Sequence, residues 1–127
     1  KDVAKGTVAL ARRDKPGKEG KSFVSQDGLA GTVADTLADI HASLFDRALA
    51  FRKAHTHDPK DYAEFKQVVE DGWAFSWWCG EGECEAQIKD ETKATMRNIP
   101  LEQPGGSGQC IHCGKPAKEK AIFAKAY

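Results

Sequence analysis

Four cysteines in two tight pairs constrain this chain more than any other feature. Cys79-Gly-Glu-Gly-Glu-Cys84 places four residues between its cysteines, Cys110-Ile-His-Cys113 places two, and 25 residues separate the pairs. Each pair closes a short turn that can aim two sulfurs at one point, with Gly80, Gly82 and Gly114 relieving the backbone. Four thiolates around one Zn²⁺ make a closed tetrahedral site with no open position, so such an ion holds structure rather than reacting. Disulfides, free buried thiols and iron–sulfur ligation are the alternatives that four cysteines leave open. A redox role for Cys110/Cys113 fits less well, because that motif normally opens a helix and here Gly114-Lys115-Pro116 follows, a turn. His112 reads as an exposed ring on the knuckle, since four sulfurs already complete a tetrahedron.

Hydrophobic periodicity supplies the rest of the fold. Val8 and Leu10 alternate with Ala9 and Ala11, the pattern of a short strand. A charged turn over 14–20 leads to a second strand, Lys21 to Ser25, with Phe23 as its inward anchor. From Asp27 the period changes: Leu29, Val33, Leu37, Ile40, Leu44, Ala48 and Phe51 form one stripe of a long helix, with Asp27 as its cap. Asp58-Pro59 predicts a new helix start, and Tyr62, Phe65 and Val69 its apolar face. Gly72 suits its C-terminal end. Trp73-Ala-Phe-Ser-Trp-Trp78 is an aromatic strand; period two puts Trp73, Phe75 and Trp77 on one face, expected to be the core, and leaves Trp78 on the other. A helix over about 83–94 with Ile88 inward, an extended stretch over 95–101, a loop over 103–109 and a closing strand over 121–127 complete the chain.

Charge and composition mainly exclude. Nineteen basic and nineteen acidic side chains cancel, which argues against a chain that wraps nucleic acid unaided. The balance is uneven, with +4 over residues 1–26, −6 over 61–109 and +3 over 110–127, so a basic N-terminal patch can still touch phosphate. No apolar run approaches the roughly 20 residues that span a bilayer. The first residue is Lys, and no charged-then-apolar leader follows, as expected of a piece of a longer polypeptide. No Ser/His/Asp grouping, phosphate-binding loop or dinucleotide fingerprint occurs, and His41, His55 and His57 read as surface or helix-end residues. The long helical stripe is more than residues 1–57 can bury by themselves, so a partner segment outside this chain is expected. The fold class is α+β, a mixed α/β chain in two parts, about 1–57 and 58–127.

Asp71-Gly-Trp-Ala-Phe-Ser-Trp-Trp-Cys79 through Cys84-Glu, Ile88-Lys and Glu91-Thr-Lys-Ala-Thr95, Ile99-Pro-Leu101, Cys110-x-x-Cys113-Gly-Lys-Pro116 and the closing Phe123-Ala-Lys-Ala-Tyr127 carry a resemblance. Together they resemble the C-terminal end of prolyl-tRNA synthetase, in the form shared by eukaryotes, archaea and some bacteria. Gly6-Thr-Val-Ala-Leu-Ala-Arg-Arg-Asp14 and Asp39-Ile-His-Ala-Ser-Leu-Phe-Asp-Arg-Ala48 agree with it, so it spans essentially the whole chain. The resemblance implies the end of an α/β anticodon-binding domain followed by a small zinc-bearing α/β domain. It implies a cytoplasmic class II ligase that uses ATP and Mg²⁺ to join proline to its tRNA, usually as a homodimer, with catalytic residues in a domain outside this chain. Carried over by position, Cys79, Cys84, Cys110 and Cys113 would hold zinc, and the terminal carboxylate of Tyr127 would reach toward the active site. Lys1 and Lys5 would be candidate RNA contacts, most of the anticodon surface lying upstream. A stand-alone zinc module binding RNA or protein is the rival from another class.

Overall fold

The computed structural model describes residues 3–126, which fall into two compact units, one extending through Phe51 and the other starting at Arg52. Strands and helices occur in both, an α+β fold. Lys1 and Tyr127 lie outside the described residues.

In the first unit a single helical turn, Val3–Lys5, leads into β1 (Thr7–Ala11), which pairs antiparallel with β2 (Lys21–Ser25). The register sets Val8 opposite Val24 and Ala9 opposite Phe23. Cross-strand partners share a face, so Val24 joins the half-buried Val8 and Leu10 while Phe23 lies on the other face, 72% exposed. Phe23 is therefore not the anchor the sequence predicts. The long helix α1 (Leu29–His55) follows. Gly28, at φ +68°, immediately precedes it, and Asp27 stands one position further out than a cap. Of the predicted stripe only Ile40 is buried, whereas Leu37 is 60% exposed and Val33, Leu44 and Phe51 keep more than a third of their surface. The turn after β1 is held by Asp14, whose carboxylate accepts from Nε (3.0 Å) and Nη2 (2.8 Å) of Arg12. Arg12 also pairs with Asp39 of α1.

The second unit is built on a four-stranded sheet. β3 (Thr56–His57) runs parallel to β4 (Trp73–Trp78), whereas β8 (Glu119–Lys125) pairs antiparallel with β4 and with β5 (Ala94–Asn98). One face receives Phe65 and Val69 of α2 (Tyr62–Val68 and its last-turn neighbour) and Ile88 of α3 (Gly82–Thr92), packed on Ala74, Ala94, Ala121 and Phe123. The helices fill this space with large side chains, so the sheet offers small ones: Ala74 and Ser76 point inward and are buried. That reverses the expected facing of β4. Trp73, Phe75 and Trp77 lie half-buried on the opposite face, where the Lys120 ammonium sits 5.2 Å from the Phe75 ring centre and 5.4 Å from that of Trp77. Trp78 turns toward the core and meets Phe123 edge-on at 6.4 Å.

Helix α2 starts later than Asp58-Pro59 predicts. Its cap is Asp61, which accepts from the Glu64 N–H (2.8 Å), while Glu64 reaches back to the Lys60 N–H (3.0 Å), a reciprocal arrangement of the capping-box kind. Asp58 instead pairs with Lys120. Gly72 donates its N–H to the Val68 carbonyl (2.9 Å), and a Cβ there would lie 3.0 Å from the His55 carbonyl, so close approach explains this glycine. Among the described residues no helix is long and apolar enough to cross a membrane.

Candidate metal centre

The two cysteine pairs sit on separate pieces of the second unit. Cys79 follows the last residue of β4, and Cys84 lies in the first turn of α3. Cys110 and Cys113 occupy the tip of a two-stranded ribbon formed by β6 (Gly108–Gln109) and β7 (Pro116–Ala117). At that tip the Cys110 N–H donates to the Lys115 carbonyl (2.8 Å) and the Gly114 N–H to the Cys110 carbonyl (2.9 Å). Gly114 (φ +71°) and Gly80 (φ +82°) take left-handed backbone that strains other residues, one at each knuckle. Gly82 does not; it opens α3. The Ile111 N–H donates to the Trp77 carbonyl (3.0 Å), which ties the ribbon tip to the end of β4 and brings the pairs together.

All four sulfurs lie within 4.8 Å of one another. Cys84 and Cys110 are 3.6 Å apart and Cys79 and Cys113 are 3.7 Å apart, so the short contacts run between knuckles. A disulfide needs about 2.05 Å, and all four cysteines are free. Sulfurs placed tetrahedrally about 2.3 Å from one ion stand about 3.8 Å apart, close to the two measured contacts. An iron–sulfur cluster puts several atoms between its thiolates, whereas this spacing fits one ion. The donor set therefore suits a single soft or borderline cation.

The surroundings give each sulfur a different electrostatic setting. Burial, followed by the Cys110 thiol beside it, pushes the Cys84 thiol well above its ordinary range. Burial also pushes Cys79 up. For Cys110, burial opposes ionisation, yet backbone N–H groups of Cys113, His112 and Cys79 outweigh it and bring the thiol down to about 7. Four thiols so close cannot all ionise without a cation between them. A divalent ion supplies that cation and displaces the protons. Lys115, paired with Glu81 at 2.6 Å, adds positive charge beside Cys79 and Cys113.

His112 is not the exposed ring expected. Its Nδ1 lies 3.4 Å from Cys84 Sγ, its Nε2 lies 3.6 Å from a carboxylate oxygen of Glu91, and its side chain is only 14% exposed. Tyr62 meets the ring edge-on at 4.9 Å. Glu91 is two helical turns after Cys84, with Ile88 between them, so the three line up along α3; an exposed carboxylate in line with two buried residues was the sequence signal for this contact. Of the other predicted residues, Lys5 is exposed at the end of the N-terminal turn.

A family model described as "Prolyl-tRNA synthetase, C-terminal" matches residues 62–127, which include every residue of the thiol cluster and its surround. The chain belongs to this family. Its whole length aligns with proline–tRNA ligases of Roseiflexus castenholzii and Chloroflexus aurantiacus, each 53% identical over 127 residues. A proline–tRNA ligase of Porphyromonas gingivalis is 43% identical over 128 residues. The chain spans about a quarter of the length of these relatives, 26%, 26% and 25% respectively.

Proposed function

We propose that residues 1–57 form the end of an anticodon-binding domain and residues 58–127 a zinc domain, together the tail of a proline–tRNA ligase whose catalytic groups lie elsewhere in the polypeptide. Cys79, Cys84, Cys110 and Cys113 hold Zn²⁺ as a structural ion. The convergence of four sulfurs from β4, α3 and the β6–β7 ribbon carries this assignment. Four thiolates leave the ion no open position for water or substrate, so its contribution is to fix these three elements to one another. In the intact enzyme the partners are tRNA, proline, ATP with Mg²⁺, the catalytic domain of the same polypeptide and a second copy in a cytoplasmic homodimer. Lys1 and Lys5 contribute RNA contacts at the basic end, and the Tyr127 carboxylate approaches the active site. The exposed apolar stripe of α1 supports a missing neighbour for the first part.

Metal analysis of the purified chain tests the site directly. One zinc per chain is expected, falling to a small fraction in Cys84→Ser. Stoichiometric iron with sulfide, or no metal in protein purified without chelator, would overturn the assignment. Proline-dependent ATP–pyrophosphate exchange by this chain alone should be undetectable, and a clear signal would place catalytic groups within it.

A further inference from the structure

Four thiolates and one Zn²⁺ leave the proposed site with a net charge of −2, in a place where Cys84 and Cys110 are buried. Such charge needs donors around the sulfurs. Backbone N–H groups of the knuckles serve Cys110, and Lys115 stands beside Cys79 and Cys113. Cys84 is as buried as Cys110, and the side-chain nitrogen next to it is Nδ1 of His112 at 3.4 Å.

Building on the zinc assignment above, we propose that His112 is a positioning residue of the metal centre, donating its Nδ1–H to the Cys84 thiolate. A metal-bound thiolate carries no proton, so a hydrogen bond across the 3.4 Å gap has one direction, from nitrogen to sulfur. Tyr62 stands against the ring at an interplanar angle of 76° and fixes its plane. A ligand sulfur held by a fixed donor cannot swing away from the ion, and its charge is partly neutralised. His112 thus does for Cys84 what the knuckle backbone does for Cys110.

Two substitutions in the full chain separate donation from space-filling. His112→Phe keeps an aromatic ring against Tyr62 but has no N–H. His112→Asn loses the ring but carries an amide N–H near the place of Nδ1. Zinc affinity is read by chelator competition, and the thiolate-to-metal charge-transfer band by cobalt(II) substitution. Donation predicts that His112→Phe binds zinc about 10–100-fold more weakly with a red-shifted cobalt band, and that His112→Asn stays within about threefold of wild type, near the size of a weak neutral hydrogen bond. If the ring only fills space the order reverses. That reversal, two unaffected variants, or equal losses in both would each overturn the proposal. Should His112→Phe fail to fold, His112→Asn decides: retained affinity supports donation and lost affinity refutes it. Wild-type protein that binds neither metal would instead remove the zinc assignment itself.

Discussion

If the four thiols hold zinc as proposed, a chelator strong enough to strip it should melt the second unit at room temperature. Its core cluster contains four large apolar side chains, Phe65, Val69, Ile88 and Phe123; the other members are alanines and the cysteines Cys84 and Cys110. A unit of roughly 75 residues is ordinarily stable by about 4–11 kcal/mol, and a core this small belongs toward the low end. Structural zinc on small folds is worth about 10–16 kcal/mol at pH 7. The ion's contribution therefore matches or exceeds the stability of the whole unit, and the metal-free state should not persist folded. Trp73, Trp77 and Trp78 are all in this unit and are the only tryptophans of the chain, so tryptophan emission reports on it alone. Chelation should shift that emission to the red, and added Zn²⁺ should restore it. Even a contribution of about 3 kcal/mol would lower Tm by about 12–24 °C for a domain of this size. A change below about 5 °C, with metal loss verified, would refute the view that an ion holds this fold together.

Three smaller perturbations test other features. The Ser76 hydroxyl is buried with no hydrogen-bond partner among the described residues, so Ser76→Ala should raise stability by about 1 kcal/mol, read as a higher urea midpoint at unchanged slope. Lys93 closes α3 in left-handed backbone (φ 63°, ψ 2°), which costs a non-glycine residue about 1–2 kcal/mol. Lys93→Gly should recover about 0.5–1 kcal/mol after the added freedom of the unfolded glycine is subtracted. The Arg12 guanidinium holds the Asp14 carboxyl at about 2, against about 4 for an ordinary Asp. This stabilisation is complete above pH ~4 and is lost as pH falls from there toward ~2. Asp14→Asn should flatten that acid limb in the far-UV signal of α1.

Elements set by periodicity or punctuation were legible in the sequence, and contacts between elements were less so. The stripe from Leu29 to Phe51 located α1, and Ile88 was correctly placed inward on α3. Alternation in β4 separated Trp73, Phe75 and Trp77 from Ala74, Ser76 and Trp78, but a period of two does not say which set faces the helices. Size decided it: Phe65, Val69 and Ile88 leave room for alanine and serine across from them. Phe23 was misplaced for the same reason, because only the pairing register shows that Val24 shares a face with Val8. Asp58-Pro59 and Asp61-x-x-Glu64 are both plausible starts for α2, and two backbone hydrogen bonds favour the second. Cysteine spacing marked the four sulfurs that come together. It could not reveal His112, Glu91 and Tyr62 around them, whose approach depends on how the ribbon tip meets α3.

The position of the knuckles also bears on how quickly the sheet can assemble. Trp78 pairs with Glu119 at the end of the β4–β8 ladder, with about 40 residues of chain between them. Cys79 adjoins one partner and Cys113 lies six residues before the other, so an ion shared as proposed would shorten that detour to about seven residues. Closing the shorter loop saves about 1.5 kcal/mol of chain entropy. If that saving is already present when the two strands first meet, metal-loaded chains refold roughly tenfold faster than metal-free ones, and the ion works as a nucleation clasp as well as a brace.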